Sequence, residues 1–489
     1  MGNPVRKVML ILVLAGLALC LGAQVPEVRA IWVLPWSMNT PERVDAFIAS
    51  AAASQQTDIY VEVRYRADAL YQTNRQPDAY PNPEYRSHVL DEASFDPLEL
   101  ILREAHKRNL RVHAWIVVLN ATPADPELMQ RNYVYRNHRD WITFDRNLMR
   151  PSAAENSGHF IDPGIPAVQE HILNVAGDLL SGYPELDGLH LDYIRYPNSS
   201  LGYHPISMSR YNDVKVPQNL DWNEWRVLQV TSLVEKLRQL VDEVSPSLIF
   251  SAAVMPDPAS AARYYAQDWK DWLERGLVDY VCPMNYAADI AKFRDNLDAA
   301  AETDLSERIV MGVRAWNDNG ASLAPSTLAW NYNILDVAER IGEIRRRGFA
   351  GIALFSYDGL LKDSALQHLS RVAYSDELVA ELAALDPLGE STARTRFAAD
   401  VKVHGEGRLY SLELLVPLEG RWTLELRDPF DRVHYRRERF YLKGLNQDHW
   451  NGVLANGAQI VPGTYLISLY RDLDRFEYVI PVSLPELVP

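Results

Sequence analysis

Short β-branched or apolar runs alternate eight times with longer helical patterns between Val28 and about Ala373, and this rhythm constrains the fold more than any other feature. Each apolar run has the length of one strand, and the segments between carry helical periodicity, the layout of βα units on a parallel sheet. The strand candidates are 29–33, 59–64, 111–117, 188–192, 248–254, 280–285, 309–314 and 351–356. Eight such units predict an α/β fold closed into a (β/α)8 TIM-type barrel, not an open doubly wound sheet.

Start signals support the helices. Asp96, Pro97 and Glu99 supply an N-cap, a proline at the first helical position and an acid that can complete a capping box. Thr40 with Pro41, and Pro166, open two more. Three connections are long, 65–94, 118–162 and 197–220, and all follow strands. In a barrel they belong to the face that carries active sites, where they can wall an extended cleft.

The barrel is assigned residues 27–375, a helical or linker segment 376–396, and a β-sandwich 397–489, where short alternating strands are separated by turn residues. At the other end, Arg6 and Lys7 precede the apolar run 8–21 and the small residues Gly22 and Ala23. This is the layout of a secretory signal peptide over 1–23, too short for a confident membrane span. Bulky Leu19 argues against a lipid on Cys20, and only Cys282 survives cleavage, so no internal disulfide is available. A periplasmic or secreted protein without an integral membrane span is expected. The formal charge of −16 argues against nucleic acid and anionic membrane surfaces as partners. A polysaccharide fits better, and 12 Trp and 25 Tyr agree with sugar stacking. Protein partners are left open.

Strand parity locates the chemistry. Alternate residues point into a barrel, and polar ones at the C-terminal ends reach the catalytic face. With Leu189 and Leu191 turned toward the helices, His190 and Asp192 point inward; the same parity brings in Glu62, Arg64, His113, Trp115, Met284 and Tyr286. Glycoside hydrolysis needs one carboxyl group to protonate the leaving oxygen and a second group to stabilise the oxocarbenium-like centre. Asp192 and Glu62 are the candidate catalytic carboxyls, with Asp257, Asp318 and Asp358 as possible alternatives for the second. Arg64, His113, Trp115, His190, Arg195, Asn285, Tyr286, Trp316 and Tyr357 are candidates for substrate binding. Structural alternatives exist: Asp192 salt-bridged to Arg64 or Arg195, Glu62 paired with Arg64, and both histidines hydrogen-bonded in the core. No cofactor or metal is called for, since no close His-x-His or His-Glu-x-x-His spacing occurs.

Residues 187–192, Asp-Gly-Leu-His-Leu-Asp, are followed by Tyr196 and Pro197; Val63 and Arg64 lead to 68–71, Asp-Ala-Leu-Tyr; 113–115 read His-Ala-Trp and 161–164 Ile-Asp-Pro-Gly. Together and in this order they resemble the glycosyl-hydrolase-like 10 family. The resemblance implies a (β/α)8 fold, export to the envelope and, in bacterial members, cleavage of peptidoglycan strands stripped of peptide stems. Tyr193 stands where many members carry a second Asp. A more distant resemblance is to chitinase-type barrels, through Asp187, Gly188, Asp192, Met284 and Tyr286; it implies that Tyr286 helps hold an N-acetyl group. Ile194 occupies the position of the chitinase Glu, so that mechanism does not transfer. In the last forty or so residues Trp450, Asn451, Gly452, Asn456, Gly457 and 462–465, Pro-Gly-Thr-Tyr, resemble the immunoglobulin-like domain of flagellar hook-cap proteins.

The leading expectation is therefore an exported glycosidase acting on N-acetylated glycan. A carbohydrate-binding pseudoenzyme of the envelope is the alternative, and a metal-dependent deacetylase or amidase using His190, Asp192 and His113 is a third.

Overall fold

The computed structural model describes residues 27–76, 78–287, 289–315, 334–360, 365–374, 401–406, 409–416, 420–427, 433–442, 444–453, 459–461, 463–471 and 476–484. The expected signal peptide 1–23, Trp316, Asp318, the expected linker 376–396, Asn456, Gly457 and Pro462 lie outside the described residues.

Eight strands, β1 (Val28–Val33), β2 (Asp58–Tyr65), β3 (Arg111–Val117), β4 (Gly188–Asp192), β5 (Ile249–Val254), β6 (Tyr280–Asn285), β7 (Val310–Arg314) and β8 (Gly351–Phe355), form one parallel sheet in sequence order. β1 pairs with both β2 and β8, so the sheet closes into the expected barrel. Because strand side chains alternate, the barrel has two apolar layers. Ile31, Val61, Ala114, Leu189, Val281 and Leu354 join the cluster shared with the helices, while Ala30, Trp32, Tyr60, Trp115, Ala253 and Ala353 fill the interior. Cys282 is buried in that interior, with its Sγ 3.6 Å from the Tyr60 hydroxyl.

Helix starts follow the local chemistry. Thr40 accepts from Arg43 N, and Asp96 from Leu98 N and Glu99 N, so each side chain satisfies amides that the first turn leaves open. Glu99 turns to Arg75, 3.3 Å away; the reciprocal capping box forms at Asp221 and Glu224, opening helix Trp222–Val244.

β2 runs straight into a two-residue hairpin. Arg66 and Ala67 sit at φ 55° and 58°, and Asp68–Ala69 pairs back on Arg64 and Tyr65. Left-handed φ at both turn positions matches the twist of a tight hairpin, although neither residue is the usual glycine or asparagine.

The C-terminal strands are β9 (Val401–Glu406), β10 (Leu409–Val416), β11 (Gly420–Arg427), β12 (Val433–Tyr441), β13 (Gly444–Trp450), β14 (Gly463–Arg471) and β15 (Phe476–Leu484). They form two antiparallel sheets, β9-β10-β13 and β12-β11-β14-β15. Leu412, Leu414 and Trp450 of the first share one buried cluster with Trp422, Leu424 and Leu469 of the second, giving a small all-β unit. Among the described residues no helix is long and apolar enough to cross a membrane.

Candidate active site

The inward-facing residues of β2, β3 and β4 lie in layers. Tyr60 pairs in register with His113, Glu62 with Trp115, Trp115 with His190, and Val117 with Asp192 at the top. The lower layer is a polar floor. His113 Nε2 lies 2.7 Å from Asp58 Oδ1, and Arg111 holds both oxygens of Asp58 at 2.8 and 2.7 Å. Burial works against the Asp58 charge, but His113 and Arg111 hold its carboxyl down to about 2. His190 stacks on Tyr60 at 4.2 Å and meets Ser251 Oγ at 2.9 Å through Nδ1. Burial, with His113 nearby, pushes His190 well below its ordinary value, so it is neutral. Both histidines point inward, as parity demands, but they are fully buried beneath the mouth.

Above them the mouth gathers two carboxyl groups. Glu62 and Asp192 stand two strands apart near the C-terminal strand ends and are 3% and 6% exposed, dry enough to be perturbed. The Glu62 carboxyl makes no hydrogen bond to another described residue. Burial, then the neighbouring Asp192 and Asp358, push its carboxyl well up, with Arg66 opposing. Burial also raises Asp192, but four groups favour its charge: the Tyr193 amide, Arg195, Trp115 and Arg66. The amide contacts it directly: Tyr193 turns into the left-handed region at φ 50° and donates N–H to Asp192 Oδ1 at 2.6 Å. Both carboxyls are thus raised, Glu62 the more strongly, so of the two Glu62 is better placed to hold a proton and Asp192 to carry charge.

Aromatic rings line the rest. Tyr286 stacks on Phe355 at 5.3 Å, and its hydroxyl is pushed up by burial and then by Asp192. Tyr193 packs on Phe160 and lies under two guanidiniums, Arg66 at 5.6 Å and Arg195 at 5.0 Å. Arg66 Nη1 and Arg195 Nε are buried without a hydrogen-bond partner. Trp36, 49% exposed on the connection after β1, meets Tyr65 edge-on at 5.6 Å.

Several expected site residues lie elsewhere. The β2–β3 register slips between Glu62 and Arg64, and Arg64 turns out of the mouth. Its guanidinium grips Glu84 at 2.6 to 3.1 Å and donates to the carbonyls of Val117 and Val118, while His171 Nε2 meets the same Oε1 of Glu84 at 2.8 Å. With every nitrogen engaged and no exposure, Arg64 is a brace. Asn285 has the outward parity of β6: it donates to Phe293 O and accepts from Asn296, both on helix Ile290–Ala301. Tyr357 packs against Phe47 in the helix layer. Asp257 caps helix Pro258–Tyr265, and Asp358 binds Leu34 N and Ser37 Oγ. No group of three or more His, Cys, Asp or Glu side chains among the described residues is arranged to hold a metal ion.

The motif residues outside the mouth form a tie between walls. Buried Asp162 accepts from Gly164 N, Tyr196 Oη and Ser207 Oγ on one oxygen and from Thr143 Oγ1 on the other. That knot fastens the connection after β3 to the one after β4. The sequence profile of the glycosyl hydrolase-like 10 family matches residues 27–319, which hold seven of the eight barrel strands and both fastened connections. The chain belongs to the glycosyl hydrolase-like 10 family.

Curated relatives agree. It is 25% identical over 293 residues to the glycosyl hydrolase YngK of Bacillus subtilis, covering 53% of this chain and 54% of YngK. It is 29% identical over 220 residues to the glycosyl hydrolase DigH of Escherichia coli, covering 39% and 46%. The chain thus spans about half the length of the curated relatives it matches. The barrel also resembles the PgaB (BpsB) glycoside hydrolase domain from Bordetella bronchiseptica, with a TM-score of 0.53 and 14% identity over 71% of this chain and 99% of that one. A catalytic mutant of the β-galactosidase Gan42B from G. stearothermophilus gives 0.51 and 11% over 75% and 58%. At such identities the likeness is one of fold.

Arg66, Tyr193, Phe355 and Trp36 are mouth residues that sequence reasoning passed over. Arg66 had a signal, a cation two residues beyond a strand whose parity aims inward. Tyr193 carries no signal in the sequence beyond standing where many family members have an aspartate.

Proposed function

We propose that this member of the glycosyl hydrolase-like 10 family is an exported glycoside hydrolase that cleaves N-acetylated glycan, peptide-free peptidoglycan strands in particular. Glu62 donates the proton to the leaving oxygen, and Asp192 carries the charge that stabilises the oxocarbenium-like centre. The unequal environment of these two buried carboxyls at one mouth carries the reading. Burial and the Asp192 charge keep the proton on Glu62, as a general acid requires. The Tyr193 amide, Arg195 and Arg66 keep Asp192 ionised. Tyr286, beside Asp192, is suited to an acetamide, and Trp36 and Tyr65 offer flat apolar faces for sugar rings. The family resemblance supports the amino-sugar substrate, and the run 8–21 supports export. The C-terminal all-β unit fits an immunoglobulin-like accessory domain.

The roles separate with two variants and two substrates. Glu62→Gln loses cleavage of glycan strands by about 100- to 10,000-fold but retains turnover of an activated aryl glycoside, whose leaving group needs no proton. Asp192→Asn loses both. Equal loss on both substrates in Glu62→Gln sinks the acid assignment, and an inactive wild type that still binds glycan supports a docking protein.

A further inference from the structure

Beside the mouth, the connections after β2 and β3 enclose a pocket of about 220 Å³. Its cations are Arg86, Arg131 and Arg136, in a chain whose formal charge is −16. Arg131 is balanced by Asp91, whose two oxygens lie 2.7 and 2.8 Å from Nη2. The other two are not balanced: Arg86 donates to the carbonyls of Ala93 and Phe95, and Arg136 has only the Tyr85 ring, 5.9 Å from its guanidinium carbon. Neither has a carboxylate partner among the described residues. The acid in the wall, Asp68, is 5% exposed, and burial with Glu84 pushes its carboxyl up to about 8. At neutral pH it is mostly an O–H donor. His88 is lowered by burial and then by Arg131, so it adds no charge.

We propose that this pocket binds a carboxylate carried on a sugar of the same glycan strand that occupies the barrel mouth. A guanidinium fork fits a planar carboxylate, and a protonated acid can donate to it. The pocket lies within reach of a bound strand: Asp68 closes the hairpin that presents Arg66, and the His88 ring lies 6.4 Å from Tyr65, the partner of Trp36. This deepens the glycan reading and rests on it for the identity of the strand.

The test measures binding to Asp192→Asn and cleavage by the otherwise unchanged chain. Both use N-acetylated glycan strands with free carboxylates and the same strands with those groups converted to methylamides. Binding of the carboxylated strand is expected to be about tenfold tighter, the worth of one charge-assisted hydrogen bond. Arg136→Ala, which removes a side chain that makes no hydrogen bond, erases that difference without changing binding of the amidated strand, and Arg136→Lys keeps part of it. Equal binding of both strands, or equal weakening of both by Arg136→Ala, overturns the pocket. So does millimolar inorganic phosphate displacing strands that show no carboxylate preference. If both strands are cleaved equally well the glycosidase reading survives and the pocket does not; if neither is cleaved but the Arg136-dependent preference remains, the pocket survives and the glycosidase reading does not.

Discussion

Trp32 Nε1 donates a hydrogen bond to His190 Nε2 across 3.2 Å inside the barrel. An indole N–H can only donate, so His190 Nε2 is the acceptor and its proton sits on Nδ1, directed at Ser251 Oγ. Burial keeps the ring neutral. Nitrogen-detected NMR should find His190 as the Nδ1–H tautomer throughout about pH 5 to 8, where a free histidine titrates. A titration in that range, or an Nε2–H tautomer, would place His190 in the proton chemistry instead of the floor.

Gly188 belongs to the motif for a packing reason. A Cβ at this position would lie 1.9 Å from His113 Nδ1, on a ring whose other nitrogen is tied to Asp58. Gly188→Ala must displace the ring and loosen its tie to Asp58, with an expected cost of about 1–3 kcal/mol. Denaturant unfolding measures it; a change within about 0.5 kcal/mol, the range of an ordinary surface substitution, contradicts the packing argument.

The Arg64 brace makes the fold acid-sensitive. Glu84 is buried, yet Arg64 and His171 hold its carboxyl down to about 2 from an ordinary 4.5. A depressed acid contributes stability above its unfolded value and loses it as pH falls through the folded one, so unfolding should set in between pH 4.5 and 2. Glu84→Gln leaves the buried guanidinium unpaired and should cost roughly 3–5 kcal/mol at neutral pH. An unchanged melting temperature would show that Glu84 does not brace the wall.

Glu62 has the opposite sign. Its folded carboxyl is raised, so folding is penalised increasingly as pH climbs above the ordinary glutamate range. Glu62→Gln removes the penalty. It should melt a few degrees higher than wild type at neutral pH, with the gap closing toward about pH 4, while glycan cleavage is lost; sites built for chemistry commonly trade stability this way. A variant that melts lower at neutral pH argues that Glu62 is ionised and paired.

The barrel was legible because its strands carry a strict two-residue alternation. Leu189 and Leu191 face the helices while His190 and Asp192 face the axis, so one parity rule located both layers. The rule failed where the backbone departs from a regular strand. The register slip after Glu62 turned Arg64 outward, and the left-handed turn at Arg66 and Ala67 carries no glycine or asparagine to announce it. Asn285 misled for another reason: a polar residue at a strand end suggests a site, but here it satisfies a helix carbonyl. Depth was also invisible, since parity shows that His113 and His190 face inward and not how far below the mouth they lie. The tie at Asp162 joins residues far apart in sequence, and only the fold brings them together.

The most direct test is mass spectrometry of what the full chain releases from purified peptide-free peptidoglycan strands, run beside Asp192→Asn. Shorter strands are expected, each cut adding one water and exposing one new reducing end, with the variant binding the strands and leaving them whole. Strands of unchanged length, strands altered only in acetylation, or equal cutting by Asp192→Asn would contradict the account.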